Sequence, residues 1–296
     1  MSKNIVLGTV QLGLTYGVSS CRGQTNKVES EKILSYAYRK GITYLDTAPS
    51  YGSSESIIGD FICSNSSMNW NVITKTSNFK SRAIKNIHAD KLLKDFELSR
   101  KKMRQENLHG LLLHGCDSLF YPGGEKLLRA MEKLKQNGVV KKIGVSLYSG
   151  DQIDCLLDNY CVDFVQLPIS ILDQRLIKGG KIARLKAHNV EIHARSIFLQ
   201  GLLLLPIKDV PYWFNPILET LKKIHIEAKK RDISTLQLAL GFVQSIDEID
   251  ALVVGVHTVE QLREIVNARS ICVEQDDLSY LSINDPAYVN PSNWKI

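Results

Sequence analysis

The chain predicts a single-domain α/β protein, a (β/α)8 TIM barrel, on three observations. Short apolar runs alternate with longer amphipathic segments along all 296 residues. The alternation is even over about 250 residues, the usual extent of such a barrel. No Gly-x-Gly-x-x-Gly follows any run, whereas the dinucleotide-binding doubly wound sheet carries that fingerprint after its first strand. An open doubly wound sheet fits the same string of elements, but even spacing and the missing fingerprint favour closure. Crossovers long enough for a helix imply parallel strands. No Pro- or Ser-rich linker, low-complexity tract or charge block cuts the chain, so 1–296 reads as one domain with 271–296 as a short C-terminal tail.

The first strand is read at 5–7, an Ile-Val-Leu run ahead of Gly8. A helical period follows at 29–40, with Asn26 as its N-cap and Gly41 at its end. The second strand, 43–46, precedes a helix at 54–63. The third, 71–75, holds the β-branched Val72, Ile73 and Thr74 and precedes a helix at 90–105. The fourth, 110–114, is leucine-rich and precedes 124–137, which stops at Gly138. The fifth and sixth, 142–146 and 164–166, lead to helices at 150–159 and 178–188, the latter ending at Asn189. The seventh, 191–195, leads to two helices, 216–230 and 234–245, the second capped by Ser234. The eighth, 251–254, leads to the last helix at 258–269.

Composition narrows the class. Hydrophobic residues make up 44% and charged residues 23%, a soluble globular balance with ample core material. Lys and Arg number 37 against 31 Asp and Glu. That mild excess helps attract an anionic cofactor but is far below what nucleic-acid binding takes. The one basic patch, Lys222, Lys223, Lys229, Lys230 and Arg231, reads as a solvated helix face. Six cysteines at 21, 63, 116, 155, 161 and 272 form no Cys-x-x-Cys, so free thiols in a reducing cytoplasm are expected. The N-terminus lacks the apolar stretch of a signal peptide, and the run at 197–207 is broken by Gln200, Gly201 and Pro206. No membrane partner is expected.

Glycine-rich features carry little. Gly8 and Gly13 have phosphate-loop spacing, but Leu14-Thr15 follows where Lys-Ser/Thr is required. The pairs Gly123-Gly124 and Gly179-Gly180 read as turns. A dinucleotide binds here only by a route other than the Rossmann one.

In a barrel, reactive groups gather at the C-terminal strand ends. Asp46 ends the second strand with Tyr51 just beyond it, Lys75 ends the third and His114 the fourth. Adjacent strands lie about 4.8 Å apart, so these ends share one patch of the barrel mouth. Asp46 and Lys75 would be stranded charges unless they pair across neighbouring strands. A tyrosine is a poor acid at neutral pH, and a neighbouring ammonium stabilises the phenolate and makes it a better proton donor. Asp46 then holds Lys75, Lys75 activates Tyr51, and His114 orients a carbonyl oxygen beside the phenol. The cluster contains no strong nucleophile and no metal-ligand set, so it protonates a carbonyl oxygen and needs an external hydride.

These residues resemble the aldo-keto reductase family, nearly end to end. Leu7-Gly8-Thr9 looks like its opening strand, and Asp46-Thr47-Ala48-Pro49-Ser50-Tyr51-Gly52, with Glu55 and Gly59, resembles its D-T-A-x-x-Y-G-x-x-E-x-x-x-G signature. Thr74-Lys75, Leu113-His114, Gly144-Val145-Ser146, Val165-Gln166 and Leu172-Asp173-Gln174-Arg175 fall in the family's order. The resemblance implies a barrel binding NADP(H) extended across its mouth, with NAD(H) as the alternative. It implies Asp46, Tyr51, Lys75 and His114 as the catalytic tetrad, and Gly8, Thr9 and Asp46 at the cofactor. Ser146 and Gln166 match the positions that hold the nicotinamide carboxamide, while Leu147 stands where the family usually has Asn. Arg195-Ser196-Ile197-Phe198-Leu199-Gln200-Gly201 resembles the pyrophosphate loop, with Arg195 where an aromatic residue commonly stacks on the nicotinamide. A planar guanidinium also stacks on a ring. Beside a neutral reduced nicotinamide it sits better than beside the oxidised cation. Gly255, His257 and Gln261 fall in the adenosine-phosphate segment, with Arg263 nearby.

In form the chain resembles family members from bacterial sugar and polysaccharide gene clusters, which implies a sugar-derived or other polar carbonyl substrate. The first loop (14–27), the loop after His114, and the tail bearing Tyr288 and Trp294 are expected to shape its pocket. The family's potassium-channel β-subunits suggest an alternative, a cofactor-binding regulatory protein with little turnover. A barrel hydrolase or isomerase lacks a nucleophile or metal cluster. Monomers are common among such barrels.

Overall fold

Eight strands close on themselves in a computed structural model that describes residues 3–18, 23–79, 81–271, 273 and 276–295. They are β1 (Asn4–Gly8), β2 (Tyr44–Asp46), β3 (Asn71–Lys75), β4 (Leu108–Leu113), β5 (Val140–Ser146), β6 (Phe164–Pro168), β7 (Glu191–Arg195) and β8 (Ala251–Gly255). Each pairs in parallel with its neighbour in chain order, and β1 pairs with β8 from Asn4↔Ala251 to Gly8↔Gly255. The barrel is thereby shut and has no edge strand.

The helices that cover it are α1 (Lys27–Arg39), α2 (Ser54–Ser64), α3 (Asn86–Met103), α4 (Glu125–Gln136) and α5 (Gly150–Asn159). They continue with α6 (Lys181–Ala187), α7 (Leu218–Lys230), α8 (Thr235–Gln244) and α9 (Val259–Asn267). Local chemistry sets their ends as expected. Asn26 accepts from the Glu29 amide, and Ser234 accepts from that of Gln237. Gly41, Gly138 and Asn189 take left-handed φ of 75°, 72° and 57°. Two starts differ from expectation. α3 begins earlier because His88 Nδ1 accepts the Lys85 N–H at 3.0 Å. α6 begins later because Gly180 at φ 66° breaks it from a separate turn, Arg175–Lys178. The basic patch lies on α7, where Lys222 pairs with Glu219, and Lys230 and Arg231 with Glu227.

Two apolar layers result. The larger joins the outward faces of the strands to the helices. Ile73, Leu112 and Phe164, with Tyr44 against them, form a separate cluster on β2, β3, β4 and β6. Phe164 explains two glycines, Gly110 on β4 and Gly144 on β5. A Cβ at Gly110 would lie 2.9 Å from the Phe164 ring, and one at Gly144 would lie 2.1 Å from its carbonyl oxygen. The ring takes the volume that two side chains would otherwise fill.

The tail departs from expectation. Tyr288 and Trp294 line neither of the two cavities at the barrel mouth; they pack on Trp213 and Phe214, with ring centroids 6.4 and 4.9 Å apart. Trp294 also donates to Tyr288 O at 3.0 Å. Large amphipathic rings are better buried against the β7 excursion than left at a wet rim. No helix among the described residues is long and apolar enough to cross a membrane. Cys63, Cys116, Cys155 and Cys161 are free thiols, while Cys21 and Cys272 lie outside the described residues.

Candidate active site

Register brings the expected charges together. Asp46 is paired with Ile73 and Lys75 with Leu112, so the ends of β2, β3 and β4 step around one side of the mouth. Lys75 Nζ lies 2.6 Å from Asp46 Oδ1, with the two side chains only 1% and 3% exposed. Lys75 also donates to Thr47 O at 3.0 Å, and Gln166 Nε2 donates to Asp46 Oδ2 at 2.8 Å. Both carboxylate oxygens are therefore satisfied, which a buried ion pair needs if it is to offset desolvation. Burial pulls against the lysine charge, but Asp46 and then Tyr51 outweigh it, and the ammonium titrates above the ordinary lysine range.

Tyr51 stands over that ammonium, which lies 4.8 Å from its ring centroid. The loop that carries it is clamped. Tyr51 N donates to Ala48 O and Ser54 N donates to Tyr51 O, each at 3.0 Å. Gly52 turns the chain at φ 56°, and a Cβ on Gly13 would lie 1.8 Å from Tyr51 O. Only glycine permits that approach. Ser54 Oγ, Thr9 Oγ1 and Asp46 O continue the clamp through bonds of 2.7 and 2.9 Å. Glu55, of the same motif, accepts from Thr74 Oγ1 at 2.9 Å and ties α2 to β3.

The His114 ring stands edge-on to Tyr51, with centroids 6.2 Å apart and planes at 89°. Its Nδ1 is buried without a hydrogen-bond partner. Burial first, and then the Lys75 ammonium, push its pKa down to about 4. At neutral pH the ring is uncharged, presenting one N–H and one lone pair. His109, at the other end of β4, is likewise pushed down to about 4, by burial and then by Lys142. An ordinary histidine titrates near 6.5, so the unfolded chain gains these two protons first as pH falls. Stability should be full above about pH 6.5 and decline between pH 6.5 and 4, by up to about 3 kcal/mol for His114 and by less for His109, whose charge solvent screens more. Urea unfolding at pH 7 and pH 5 tests this: the midpoint should fall in the wild type and fall less in His114→Gln. Equal midpoints at the two pH values would refute it.

From this cluster a cleft of about 510 Å³ runs across the mouth to β8. Gly8, Thr9, Ser146, Gln166, Arg195, Ser196, Phe198, Gly201, Gly255, His257 and Gln261 line it together with Asp46, Tyr51, Lys75 and His114. Its size suits a bound cofactor. Gly8, Gly201 and Gly255 leave parts of the wall without side chains, and a Cβ at Gly255 would crowd Gln11 Oε1 at 2.5 Å. That oxygen is buried and unpartnered. The loop after β7 holds Ser196, Leu199, Gln200 and Gly201 at φ of 60°, 46°, 54° and 91°, the kind of backbone that forms anion-binding nests. The residues present thus fit an extended dinucleotide.

Three details differ from the sequence reading. The Leu147 side chain is fully buried in the core and does not line the cleft, while its carbonyl accepts from Arg195 at 3.3 Å. The Arg195 guanidinium lies on the Tyr148 ring, 4.2 Å from its centroid, so one of its two faces is already taken. Arg263 is not on the cleft wall but on the Tyr36 ring, 5.5 Å away, leaving Glu264 beside His257 and Gln261.

Sequence reasoning missed a bridge over the cleft. Val18 N donates to Gln200 O, and His257 Nε2 donates to Tyr16 O, each at 3.0 Å. Tyr16 and Gly17 thereby join the cleft lining with Gln200. Tyr148 was missed too, and it also borders a second cavity of about 620 Å³ beside His114. That cavity is lined by the loops after β3, β4 and β5 and by Asn290 and Ser292 of the tail.

A barrel with these four side chains at the head of such a cleft defines a nicotinamide-dependent oxidoreductase class, and comparison agrees. Residues 4–284 match the model of the Aldo/keto reductase family, and the chain belongs to that family. It is 26% identical over 265 residues to L-galactose dehydrogenase of Arabidopsis thaliana, covering 82% of this chain and 80% of that one. It is 24% identical over 306 residues to the NADH-specific methylglyoxal reductase of Escherichia coli (strain K12), covering 93% and 92%. Among solved structures, aldo-keto reductase AKR11C1 from Bacillus halodurans (holo form) superposes with a TM-score of 0.75 at 18% identity, covering 96% and 93%. The protein is an NAD(P)-dependent oxidoreductase of the carbonyl-reducing kind.

Proposed function

We propose that the protein reduces a sugar-derived or similarly polar aldehyde or ketone to an alcohol, with Tyr51 as the proton donor. The observation that carries this reading is the buried Lys75–Asp46 pair set against Tyr51, with an uncharged His114 edge-on to the same ring. Bound in the cleft, a reduced nicotinamide supplies the hydride that the carbonyl carbon accepts. Ser146 and Gln166 would hold the carboxamide, with Gln166 kept in place by the bond from its amide nitrogen to Asp46. Neutral His114 orients the carbonyl oxygen through its N–H. Tyr51 gives its proton to that oxygen as negative charge develops there. The phenolate that remains is stabilised by the Lys75 ammonium until solvent restores the proton.

Cofactor choice follows from the far end of the cleft. Among the described residues no Lys or Arg lines it there; His257 and Gln261 are the groups for a 2′-phosphate, and Glu264 opposes one. The sequence favoured NADPH, and a related enzyme is named NADH-specific. We therefore expect weak discrimination, with dissociation constants for NADPH and NADH within about tenfold, or about 1.4 kcal/mol. Fluorescence titration with each, followed by turnover of a panel of small polar aldehydes, tests both statements. No binding of either would end the proposal, and a preference above about a hundredfold would overturn the account of this end of the cleft.

A further inference from the structure

We infer that the substrate carries an anionic group, a carboxylate or a phosphate, remote from its carbonyl, and that Arg82 recognises it. The inference rests on the reductase reading and concerns the second cavity, which that reading leaves unassigned. His114 lies on the wall shared by this cavity and the cofactor cleft. A carbonyl held by His114 and Tyr51 therefore leaves the rest of its molecule in the second cavity. At about 620 Å³ that cavity admits a sugar-sized compound.

Its lining tells the chemistry. One side has already spent much of its hydrogen-bonding capacity internally. Gln152 donates to Asp117 Oδ1 at 2.9 Å and accepts from Tyr148 N at 2.8 Å. Asn290 Oδ1 accepts from both the amide and the hydroxyl of Ser292. The loop after β3 is different. Arg82 has no carboxylate partner and no hydrogen bond among the described residues, whereas Arg100, Arg104, Arg175, Arg184 and Arg231 each pair with a carboxylate. Its fork of five donors matches a carboxylate or phosphate in a bidentate way, which a neutral hydroxyl does not use. The second oxygen of Asp117 and the amide of Asn290 are left for hydroxyl groups. A hydroxylated carbonyl compound with an acidic end fits this set, and a purely apolar aldehyde does not.

The test compares kcat/KM of the enzyme for paired probes: D-glucuronate against D-glucose, and D-glyceraldehyde 3-phosphate against D-glyceraldehyde. The wild type should favour at least one anionic member by tenfold or more. The responsive pair tells whether the group is a carboxylate or a phosphate. Arg82→Met should lower that anionic-over-neutral ratio about tenfold, through KM rather than kcat, and Arg82→Lys should restore part of it. Calorimetric binding of gluconate against xylitol to the cofactor-loaded protein gives a readout free of turnover and should show the same dependence on Arg82. Reduction of the neutral probes with no anionic preference, or a ratio unmoved by Arg82→Met, overturns the inference and leaves the reductase reading intact. Failure to bind cofactor and to reduce any probe overturns that reading, and the inference with it.

Discussion

Tyr51→Phe should lower turnover by about 10²–10⁴-fold while cofactor affinity and the unfolding midpoint stay near those of the wild type, since a positioned general acid contributes about that much. The phenol oxygen is the only atom removed, and the ring keeps its place over the Lys75 ammonium and against His114. The backbone that holds the residue does not depend on the hydroxyl. It is fixed by the turn at Gly52 and by the close approach of Gly13 to Tyr51 O. Steady-state rates with a fixed aldehyde, beside cofactor titrations of both proteins, give the comparison. A variant with more than about a tenth of wild-type turnover would mean that another group or water delivers the proton.

Lys75→Met should destabilise the fold by about 3–5 kcal/mol and abolish activity as well, because removing one partner leaves the other as an uncompensated buried charge. Asp46 would keep its bond from Gln166 but lose the 2.6 Å contact that neutralises it. Thr47 O would lose its donor at the same time. Adding Asp46→Asn removes the stranded charge, so the double variant should regain much of the lost stability but none of the activity. Such non-additivity is the signature of a coupled pair. Chemical denaturation of the two single variants and the double variant measures it. Additive losses in the double variant would show that the pair is not energetically coupled and that the arrangement of the mouth needs another explanation.

Much of this fold was legible in the order of residues because each strand is a short apolar run between polar boundaries. Caps such as Asn26 and Ser234 announce themselves by type and position. The clustering of Asp46, Tyr51, Lys75 and His114 was legible for a related reason: Asp46 and Lys75 sit at the ends of runs that otherwise exclude charge, so one observation predicted the other. What escaped involves contacts between residues far apart in the chain. Val18 meets Gln200 through backbone atoms that every residue possesses, and His257 reaches the backbone carbonyl of Tyr16, so no pattern in the first loop marks the bridge. Arg263 and Arg195 turn to Tyr36 and Tyr148, aromatic faces that only the folded chain brings near. In the tail, the aromatic residues drew attention, yet Tyr288 and Trp294 serve as anchors. Asn290 and Ser292, the small polar residues between them, are the ones that reach a cavity.

The central claim, hydride to carbon and proton from Tyr51, is tested most directly with a reduced nicotinamide cofactor deuterated at the transferring C4 position. Wild-type protein, a polar aldehyde and the labelled cofactor should yield one deuterium on the former carbonyl carbon for each cofactor oxidised, read by mass spectrometry. Tyr51→Phe should bind the cofactor and transfer almost none. Cofactor binding without label in the product would contradict the account and favour a regulatory barrel with little turnover, whereas full transfer by Tyr51→Phe would refute the assignment of the acid.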